Sequence, residues 1–409
     1  MKLLRNAVRP YAWGSRSVIA ELLGRPVPTP HPEAELWLGA HPADPSRVVS
    51  DDGTETSLVD VLRADPTGQL GAESAMRWGD RLPFLMKVLA AEEPLSLQAH
   101  PSLEQAIDGF AKEEAAGLPR DAVNRNYKDA NHKPELICAL TEFHALAGFR
   151  AADRTVDLLD SLGVPELNAH AQLLAAQPDE DGLRALFTTW ITLPQQTLDE
   201  LLPALLDACV RHVRERSEWS REARTALQLG EAYPGDAGVL AALLLNHVVL
   251  EPGEAIYLPA GNLHAYLHGT GIEIMANSDN VLRGGLTPKH VDVPELLRVL
   301  DFRSGDMPVL RGEAAGPHRT VYPTPAPDFR LSRLDWESGL DREPVLLETS
   351  GPQIMLCMSG SAQLQTTDGA QKLDLNRGES LWLSATDPAV LVSPGQQDRV
   401  SMFVATPAL

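Results

Sequence analysis

The stretch 250-LEPGEAIYLPA-260 recurs 125 residues later as 375-LNRGESLWLSA-385, and the two copies share the pattern L-x-x-G-E-x-x-x-L-x-A. Each copy has a glycine turn and a glutamate, followed by alternating apolar residues, which is typical of a chain entering a β-strand. Five identities in eleven positions indicate an internal repeat. The pair therefore predicts two jelly-roll β-barrels, one in each half of the chain.

The two copies differ in the residues that follow them. The first continues into 261-GNLHAYLHG-269, which carries histidines, whereas the second continues into 386-TDPAVLVSP-394, which carries none. Histidine is the commonest metal ligand among neutral side chains. Only the first barrel is therefore expected to support metal chemistry.

Three textures divide the chain. Apolar runs such as 82-LPFLMKVLA-90 and 135-ELICALTEFHALAGF-149 indicate buried strands, whereas 198-LDELLPALLDACVRHVRER-216 has the three- and four-residue spacing of an amphipathic helix. We expect Pro203 to lie in or near the first turn of that helix, where proline is tolerated. A Pro- and Gly-rich segment from Met307 to Asp328 reads as a long connection.

The resulting expectation is a mainly β fold with an α insertion, in which two cupin-type jelly-roll regions accompany a helical domain. The expected divisions are 1–150 for the first part of a catalytic cupin domain, 151–245 for the helical insertion, 246–305 for the second part of the catalytic domain, and 306–409 for a C-terminal jelly roll without a metal site.

The composition limits the classes of partner. At 409 residues the chain is long enough for two or three domains of roughly 150 residues. Its formal charge of −21 argues against nucleic acid or an anionic membrane as the main partner, because both attract basic surfaces. A site for an anionic ligand must therefore concentrate positive charge locally.

No targeting or spanning segment is evident. The start, MKLLRNAVRPYAWG, lacks a signal-peptide core, and the most apolar stretch, 237–250, is interrupted by Asn246 and His247. Three cysteines are widely spaced and odd in number, as expected for reduced core residues. They are Cys138, Cys209 and Cys357. These features predict a cytoplasmic protein.

The stretch 95-LSLQAHPS-102 places Gln98 and His100 two residues apart. On a strand both side chains point to the same side and converge on one point. The alternative is a buried histidine that bonds to a backbone carbonyl, with the glutamine merely its neighbour.

A second polar cluster, 127-YKDANHKPELICAL-140, ends with Glu135 at the head of an apolar run. A carboxylate in that position is costly unless it is paired or bound to a cation, or unless the strand end is exposed. Beside it, His132 and Lys133 are able to move protons or bind anions.

A third cluster lies in 261-GNLHAYLHGTGIEIMANSDNVLRGGLTPKH-290. On a strand, His264, Tyr266 and His268 would share one face. Arg283 precedes a Gly-Gly pair, which suits bidentate contact with a phosphate or an oxyanion. A loop salt bridge from Arg283 to Asp279 or Glu273 is the alternative.

Together these clusters offer nitrogen and oxygen ligands without sulfur. Such a set fits Zn²⁺, with Mn²⁺, Fe²⁺ and Co²⁺ as competitors. An open coordination position would make the site catalytic.

These segments resemble the type I phosphomannose isomerases, zinc enzymes of the cupin class. The resemblance runs through 11-YAWG-14, 35-ELWLGAHPADPS-46, 82-LPFLMKVLAAEEPLSLQAHPS-102, 129-DANHKPEL-136 and 257-YLPAGNLHAYLHGTGIEIMANSDNVLRGGLTPKHVDV-293. It implies one Zn²⁺ per chain, with an arginine from the NVLRGG motif in catalysis. The implied ligands are Gln98, His100, Glu135 and His264, and the implied arginine is Arg283.

The resemblance implies interconversion of mannose 6-phosphate and fructose 6-phosphate, which links fructose 6-phosphate to mannose and GDP-mannose metabolism. The base that moves a proton through an enediol stays open among Glu273, His132 and Lys133. For the small sugar phosphate substrate, Lys87 and Ser96 are the preferred phosphate clamp. Tyr266 and Asp279 complete the expected substrate-binding set. We expect a monomer without nucleic acid or membrane partners.

Two other functions compete with this one. A cupin that binds or senses a sugar without catalysis is one alternative, although the full ligand set and Arg283 argue against it. An Fe²⁺-dependent cupin oxygenase is the other alternative, but it would present a different ligand set without the glutamine.

Overall fold

The computed structural model describes residues 1–337, 342–349, 351–396 and 399–409. Within these ranges the protein is mainly β with helices, and every pairing between its strands is antiparallel. None of the helices in these ranges combines the length and the apolarity needed to cross a membrane.

Strands and short helices alternate in residues 1–150, and the apolar runs expected to be buried strands are strands. The strands are β1 (Lys2–Arg5), β2 (Ala7–Arg9), β3 (Glu35–Gly39), β4 (Arg47–Val49), β5 (Glu55–Ser57), β6 (Phe84–Ala91), β7 (Leu97–Ala99), β8 (Glu135–Ala139) and β9 (Phe143–Phe149). The helices are α1 (Val18–Leu22), α2 (Leu58–Ala64), α3 (Pro66–Leu70), α4 (Ala72–Trp78) and α5 (Leu103–Ala115).

Residues 151–244 are helical. The helices are α6 (Ala152–Leu162), α7 (Asn168–Ala176), α8 (Glu180–Ile191), α9 (Gln195–Glu215), α10 (Ser220–Ala232) and α11 (Gly238–Ala242), with a 3₁₀ turn at Pro165–Leu167. The position expected for Pro203 is wrong, because α9 begins at Gln195 and places the proline inside the helix. The polar residues that open α9 give no apolar signal, so the periodic pattern starts one turn late.

Strands return at residue 245. They are β10 (Leu245–Leu250), β11 (Ala255–Leu258), β12 (His264–Ala276), β13 (Leu282–Gly285), β14 (Val309–Leu310), β15 (Glu313–Ala314), β16 (Arg319–Tyr322), β17 (Arg330–Trp336), β18 (Val345–Leu347), β19 (Gln353–Ser359), β20 (Ser361–Thr366), β21 (Lys372–Asn376), β22 (Ser380–Leu383), β23 (Val390–Pro394) and β24 (Val400–Thr406). One helix, α12 (Val293–Val299), interrupts them. The expected long connection from Met307 to Asp328 contains three of the short strands.

The long strand β12 organises an eleven-stranded sheet. Its N-terminal half pairs with β7 and β9, and its C-terminal half pairs with β6 and β8. Because β7, β8 and β12 carry the three polar motifs of the sequence, this pairing gathers residues that are distant in the chain.

The remaining strands form sheets of nine and four strands, with the order β15-β16-β17-β24-β19-β22-β1-β4-β5 in the larger one. Its last three strands come from the first 57 residues, so the N-terminus extends a sheet built mainly from the C-terminal part. The repeated sequence motif occupies matching positions, because Gly253 and Gly378 both have positive φ and precede β11 and β22.

The helices cover one face of the eleven-stranded sheet. Leu146 of β9 and Ala265 of β12 belong to the apolar core shared with α6–α11. Their chain neighbours Ala145, Ala147 and Tyr266 point to the opposite face and into a separate apolar core. The sheet therefore separates the helical layer from the interior in which the polar motifs meet.

Candidate metal centre and active site

Three buried side chains from three strand ends converge on one point. Nε2 of His100 lies 3.4 Å from Oε1 of Glu135, and Nε2 of His264 lies 3.4 Å from Oε2 of the same carboxylate. Their potential ligand atoms all lie within 4.8 Å of one another, a grouping that can hold a metal ion. Glu135 opens β8 and His264 opens β12, while His100 directly follows β7.

Backbone contacts orient both imidazoles. Nδ1 of His100 lies 2.8 Å from the carbonyl oxygen of Asn280, and Nδ1 of His264 lies 3.0 Å from that of Asn262. A carbonyl only accepts, so each Nδ1 carries the hydrogen and each Nε2 presents a lone pair. Nε2 of His100 is buried without a hydrogen-bond partner among the described residues. This orphaned atom fits a metal ligand.

The charge states of these groups suit a cation. Burial lowers the pKa of His100 to about 4, which keeps its imidazole neutral. Burial alone would raise the pKa of Glu135, but the ammonium of Lys133, 3.4 Å away, helps to hold it well below its usual range, so the carboxylate is ionised. A neutral histidine and an ionised carboxylate are the forms that bind a divalent metal.

Gln98 lies next to these three residues. It is the cross-strand partner of both His264 and Arg283, and its amide Nε2 lies 3.3 Å from Oγ of Ser96. With the amide nitrogen donating to Ser96, the amide oxygen is the atom available to a metal.

The loop before β13 is fixed by Asn280, which is fully buried. Its side-chain oxygen accepts from the backbone N–H groups of Lys128 and Asp129, and its amide donates to the carbonyls of Asp129 and Asn131. This side chain therefore joins the loop that bonds to His100 to the loop that leads into Glu135.

Two cavities that share lining residues open beside the candidate metal ligands. The inner one has a volume of about 70 Å³ and is lined by Glu135, His264, Tyr266 and Glu273, among others. The outer one, of about 560 Å³, is lined by Arg283 and other basic residues. Lys87, Ser96, Gln98 and Lys133 line both. An open cavity beside the ligands is the arrangement of catalytic metal sites.

A buried ionic network forms the inner wall. Nζ of Lys87 lies 2.9 Å from Oε2 of Glu273 and 3.5 Å from Oε1 of Glu35. The hydroxyl of Tyr266 donates to Oε1 of Glu273 at 3.0 Å, and the indole of Trp37 donates to Glu35 at 2.6 Å. Burial would lower the pKa of Lys87, but the two carboxylates raise it, so the lysine is charged. Lys87 is thus engaged by two carboxylates.

The outer cavity holds a group of cations with no counter-ion. Lys128, Arg283 and Lys289 line it, and none of them has a carboxylate within 4.0 Å in the described ranges. Burial, Arg283 and Lys128 all lower the pKa of Lys289. Asp279 lies in the same wall, but its carboxylate faces His41 at 3.3 Å.

Glycine allows Arg283 to reach this position. Directly after it the chain passes through Gly284 and Gly285, and the latter has a φ of +124°. A Cβ on Gly285 would lie 2.7 Å from Cα of Gly238 in the helical region, so a side chain would collide there.

Two expected site residues lie elsewhere. Nε2 of His132 lies 2.8 Å from Oδ2 of Asp328, and this histidine lines neither cavity. The expectation that His268 shares a face with His264 and Tyr266 is wrong, because the register shifts between Tyr266 and His268 and the latter is exposed.

Sequence reasoning assigned no role to Glu35, Trp37, His41 and Lys128, all of which line the outer cavity. The first three lie in or beside β3. Every residue of this strand is buried, so no alternation between exposed and buried positions marks its polar residues. The signal that was available is the charge of Glu35 within an apolar run, which is costly without a partner.

A carboxylate and two correctly oriented histidines, next to an open cavity rich in cations, define a metalloenzyme built on antiparallel β-sheets. Comparisons with known proteins specify its family. A family described as phosphomannose isomerase type I, catalytic domain, matches residues 1–152. Mannose-6-phosphate isomerase of Escherichia coli K12 is 41% identical over 400 residues, which is 96% of this chain and 97% of that protein. The Bos taurus enzyme of the same name is 33% identical over 95% of this chain and 94% of its own length.

Solved structures agree. A mutant of phosphomannose isomerase from Salmonella typhimurium superposes with a TM-score of 0.89 at 36% identity and covers 100% of both chains. A zinc-bound holo structure of mannose 6-phosphate isomerase gives 0.88 at 37% identity, covering 100% of this chain and 99% of that one. The chain belongs to the type I phosphomannose isomerases.

Proposed function

We infer that this chain is a zinc-dependent mannose-6-phosphate isomerase, which interconverts mannose 6-phosphate and fructose 6-phosphate. The observation that carries this conclusion is the pair of histidine Nε2 atoms on either side of Glu135, next to a cavity whose lining includes three cations without a carboxylate partner in the described ranges. The relatives that span nearly the whole chain bear the same enzyme name. Neither a non-catalytic sugar-binding protein nor an iron oxygenase is favoured.

One zinc ion per chain would be held by His100, Glu135 and His264, with Gln98 as the proposed fourth ligand. The donor set of two imidazoles, a carboxylate and an amide oxygen suits Zn²⁺. When bound, the ion would polarise the sugar oxygens and stabilise their developing negative charge.

The reaction moves a proton from C2 of the sugar to C1 through an enediol, which requires a base. We assign this role to Glu273, because it lies in the wall of the inner cavity and the hydroxyl of Tyr266 fixes one of its oxygens. Burial raises the pKa of Glu273, although Lys87 opposes that rise. A carboxylate of raised pKa is a stronger base than an exposed one.

The other two candidates for the base differ in their positions. Lys133 lines both cavities and lies 3.4 Å from Glu135, so it competes with Glu273 and is also placed to assist opening of the sugar ring. His132 contacts Asp328 and lines neither cavity, which makes it the weakest of the three.

Arg283 is proposed to stabilise the enediolate. It pairs across the sheet with Gln98, so it stands beside the metal ligands, and it lines the outer cavity. A guanidinium offers several donors in a rigid fork to oxygens on which charge develops.

The phosphate group is proposed to bind to Lys128 and Lys289 with help from Arg283. These side chains have no carboxylate within 4.0 Å in the described part of the chain, and Arg283 and Lys128 both disfavour the charge of Lys289. Lys87 and Ser96, expected from the sequence to clamp the phosphate, line the cavity as well. Lys87 is already paired with Glu273 and Glu35, so its proposed role is to hold the base.

We propose two cupin-type jelly rolls, a catalytic one formed by 1–150 and 246–305 around a helical insertion at 151–245, and a second one at 306–409 without a metal site. The repeated motif that opens β11 and β22 supports this division. We also propose that the protein is a cytoplasmic monomer, and sedimentation analysis tests the monomeric state.

A coupled assay for fructose 6-phosphate, run on mannose 6-phosphate with and without a chelator, tests the proposed function. Isomerase activity that disappears with the chelator and returns with Zn²⁺ is expected. An Fe²⁺ oxygenase would consume dioxygen instead, and a sugar-binding protein would give no product.

A further inference from the structure

A cavity of about 420 Å³, the second cavity, lies away from the metal centre and from its inner and outer cavities. The strands β9, β10 and β12 form one wall of it and the first turns of α10 form the other. Its lining residues are His144, His247, Leu267 and His268 from the strands, with Ser220, Arg221, Arg224, Thr225 and Gln228 from the helix. None of them lines the inner or outer cavity of the proposed active site.

The sheet separates this second cavity from the metal ligands. Leu267, which lines the cavity, belongs to the apolar core shared with the helices, whereas Tyr266 beside it belongs to the core on the opposite face. The register shift after Tyr266 is what brings His268 to the helical side. The feature that removes His268 from the metal centre thus places it in this cavity.

The walls of the second cavity are basic. Three imidazoles and two guanidinium groups line it, and no carboxylate does. Neither Arg221 nor Arg224 has a carboxylate within 4.0 Å among the residues that the structure describes. In a chain with a formal charge of −21, two arginines that lack a carboxylate partner in the described ranges and lie beside three imidazoles need an explanation.

A chain of hydrogen bonds links the two walls. Nε2 of His144 lies 2.9 Å from Glu142, Nδ1 of His144 lies 3.1 Å from Nε2 of His247, and Nδ1 of His247 lies 3.0 Å from Oγ1 of Thr225. The Thr225 hydroxyl also donates to the carbonyl of Arg221 at 3.1 Å.

The number of hydrogens on these groups decides whether all four contacts can be hydrogen bonds at once. The ionised Glu142 only accepts, so Nε2 of His144 carries a hydrogen. With Thr225 donating its single hydrogen to Arg221, Nδ1 of His247 must donate to Thr225. The contact between the two rings then needs one more hydrogen, so all four bonds form together only when the histidine pair carries a positive charge.

That charge is unfavourable in the cavity as it stands. Burial lowers the pKa of His247 to about 3, and His144 and Arg221 add to the effect. An anion bound among these groups would favour the charged form of the histidine pair and so raise its pKa. The thirteen-residue helix α10 also begins at this wall; its N-cap residue Trp219 makes no side-chain capping bond, and Glu222 lies in its first turn. A helix start of this kind favours negative charge.

We propose that this cavity is a second ligand site, which binds a phosphoryl dianion either as inorganic phosphate or as the phosphate group of a small sugar ester. Arginine donors from α10 and histidine donors from the three strands suit three phosphate oxygens. The volume admits the ester as well as the free ion. A metal cation fits less well, because two arginines share the wall and only the His100, Glu135 and His264 group meets metal-ligand spacing within the described ranges.

Histidine-resolved NMR on the zinc-loaded full chain tests this proposal. The ring Cε1–H signals of His144, His247 and His268 are assigned by single replacement with glutamine. Inorganic phosphate is then titrated at constant ionic strength, and glucose 6-phosphate is titrated in a second arm. We expect saturable shifts of these three signals. Equal affinities assign the site to phosphate itself, whereas tighter binding of glucose 6-phosphate assigns it to a sugar ester.

The variant Arg221→Gln/Arg224→Gln is expected to weaken binding by roughly tenfold or more, because it removes two charge-assisted contacts. The matched control Arg214→Gln/Arg377→Gln makes the same change in net charge at two exposed arginines that do not line this cavity. It should leave the titration unchanged. Shifts confined to His100 and His264, equal loss in both double variants, or a response to added Zn²⁺ but not to phosphate would each overturn the proposal.

Discussion

Nζ of Lys87 lies 2.9 Å from Oε2 of Glu273 in the wall of the inner cavity, beside the candidate metal ligands. The two side chains come from neighbouring strands, where Lys87 and Glu273 are direct cross-strand partners, and both are buried. The ion pair fixes one oxygen of the carboxylate while Tyr266 fixes the other. Glu273 is therefore held in one orientation, which its proposed role as a base acting on a carbon-bound proton requires.

Replacing Glu273 with glutamine should lower kcat by about 10²-fold or more, since general-base catalysis contributes roughly that much. KM should change little, and the zinc content should stay at one ion per chain. Steady-state kinetics combined with metal analysis checks both. Near-normal turnover with zinc fully bound would eliminate Glu273 and leave Lys133 as the base.

The control for this variant is Glu35→Gln. Glu35 is the second carboxylate beside Lys87, so the substitution makes the same change in charge next to the same ammonium. We expect a much smaller loss of kcat. An equal loss in both variants would mean that the electrostatic balance around Lys87, and not a base at Glu273, sets the rate.

Replacing Lys87 with methionine should destabilise the fold. Two buried carboxylates, Glu35 and Glu273, would lose their shared cation, and breaking a buried pair costs about 3–5 kcal/mol in the free energy of unfolding. Denaturant titration of the zinc-loaded protein measures it. Lys112→Met is the control, because Lys112 pairs with Asp108 on the surface, where solvent screens the pair and leaves it little net effect on stability. Equal changes for the two variants would show that the pair with Glu273 does not stabilise the protein.

Replacing Lys289 or Lys128 with alanine should raise KM for mannose 6-phosphate by roughly tenfold each, because each removes a contact to the phosphate group. The effect on kcat should be smaller, and added salt should reduce the difference from the wild type. The control Lys372→Ala alters an exposed lysine on β21 that lines neither cavity. An unchanged KM in the Lys289 and Lys128 variants would contradict this assignment and favour Lys87 and Ser96 as the residues that bind the phosphate.

Replacing Arg283 with lysine should lower kcat by about 10²- to 10³-fold, which is the usual effect of removing a donor to a developing oxyanion. Lysine keeps the charge but not the planar fork of donors, so the substitution separates geometry from charge. A KM increase with unchanged kcat would instead assign Arg283 to the phosphate. Zinc content should not change in this variant.

The parts of the fold and site that follow from short sequence patterns could be predicted. Glu135 at the head of a buried strand was visible as a costly carboxylate, His264 was visible in a histidine-bearing strand segment, and the glycine turns before β11 and β22 marked the repeat. Each of these signals lies within about ten residues of chain, the range over which strand alternation and turn chemistry operate.

Long-range pairing explains most of what could not be predicted. The partners of Lys87 lie 52 and 186 residues away, so no local pattern showed that its charge was already neutralised. Likewise, nothing near β1 indicates that it pairs with β22 at the other end of the chain. The register shift after Tyr266 breaks the two-residue alternation, so the prediction that His268 shares a face with His264 was wrong.

Anomalous X-ray scattering at the zinc edge, measured on crystals of the zinc-loaded protein, tests the central claim most directly. The account predicts one strong peak per chain, in contact with Nε2 of His100, Nε2 of His264 and the Glu135 carboxylate, with Gln98 as the fourth protein ligand. A zinc peak elsewhere in the chain, or none between these residues, would contradict it.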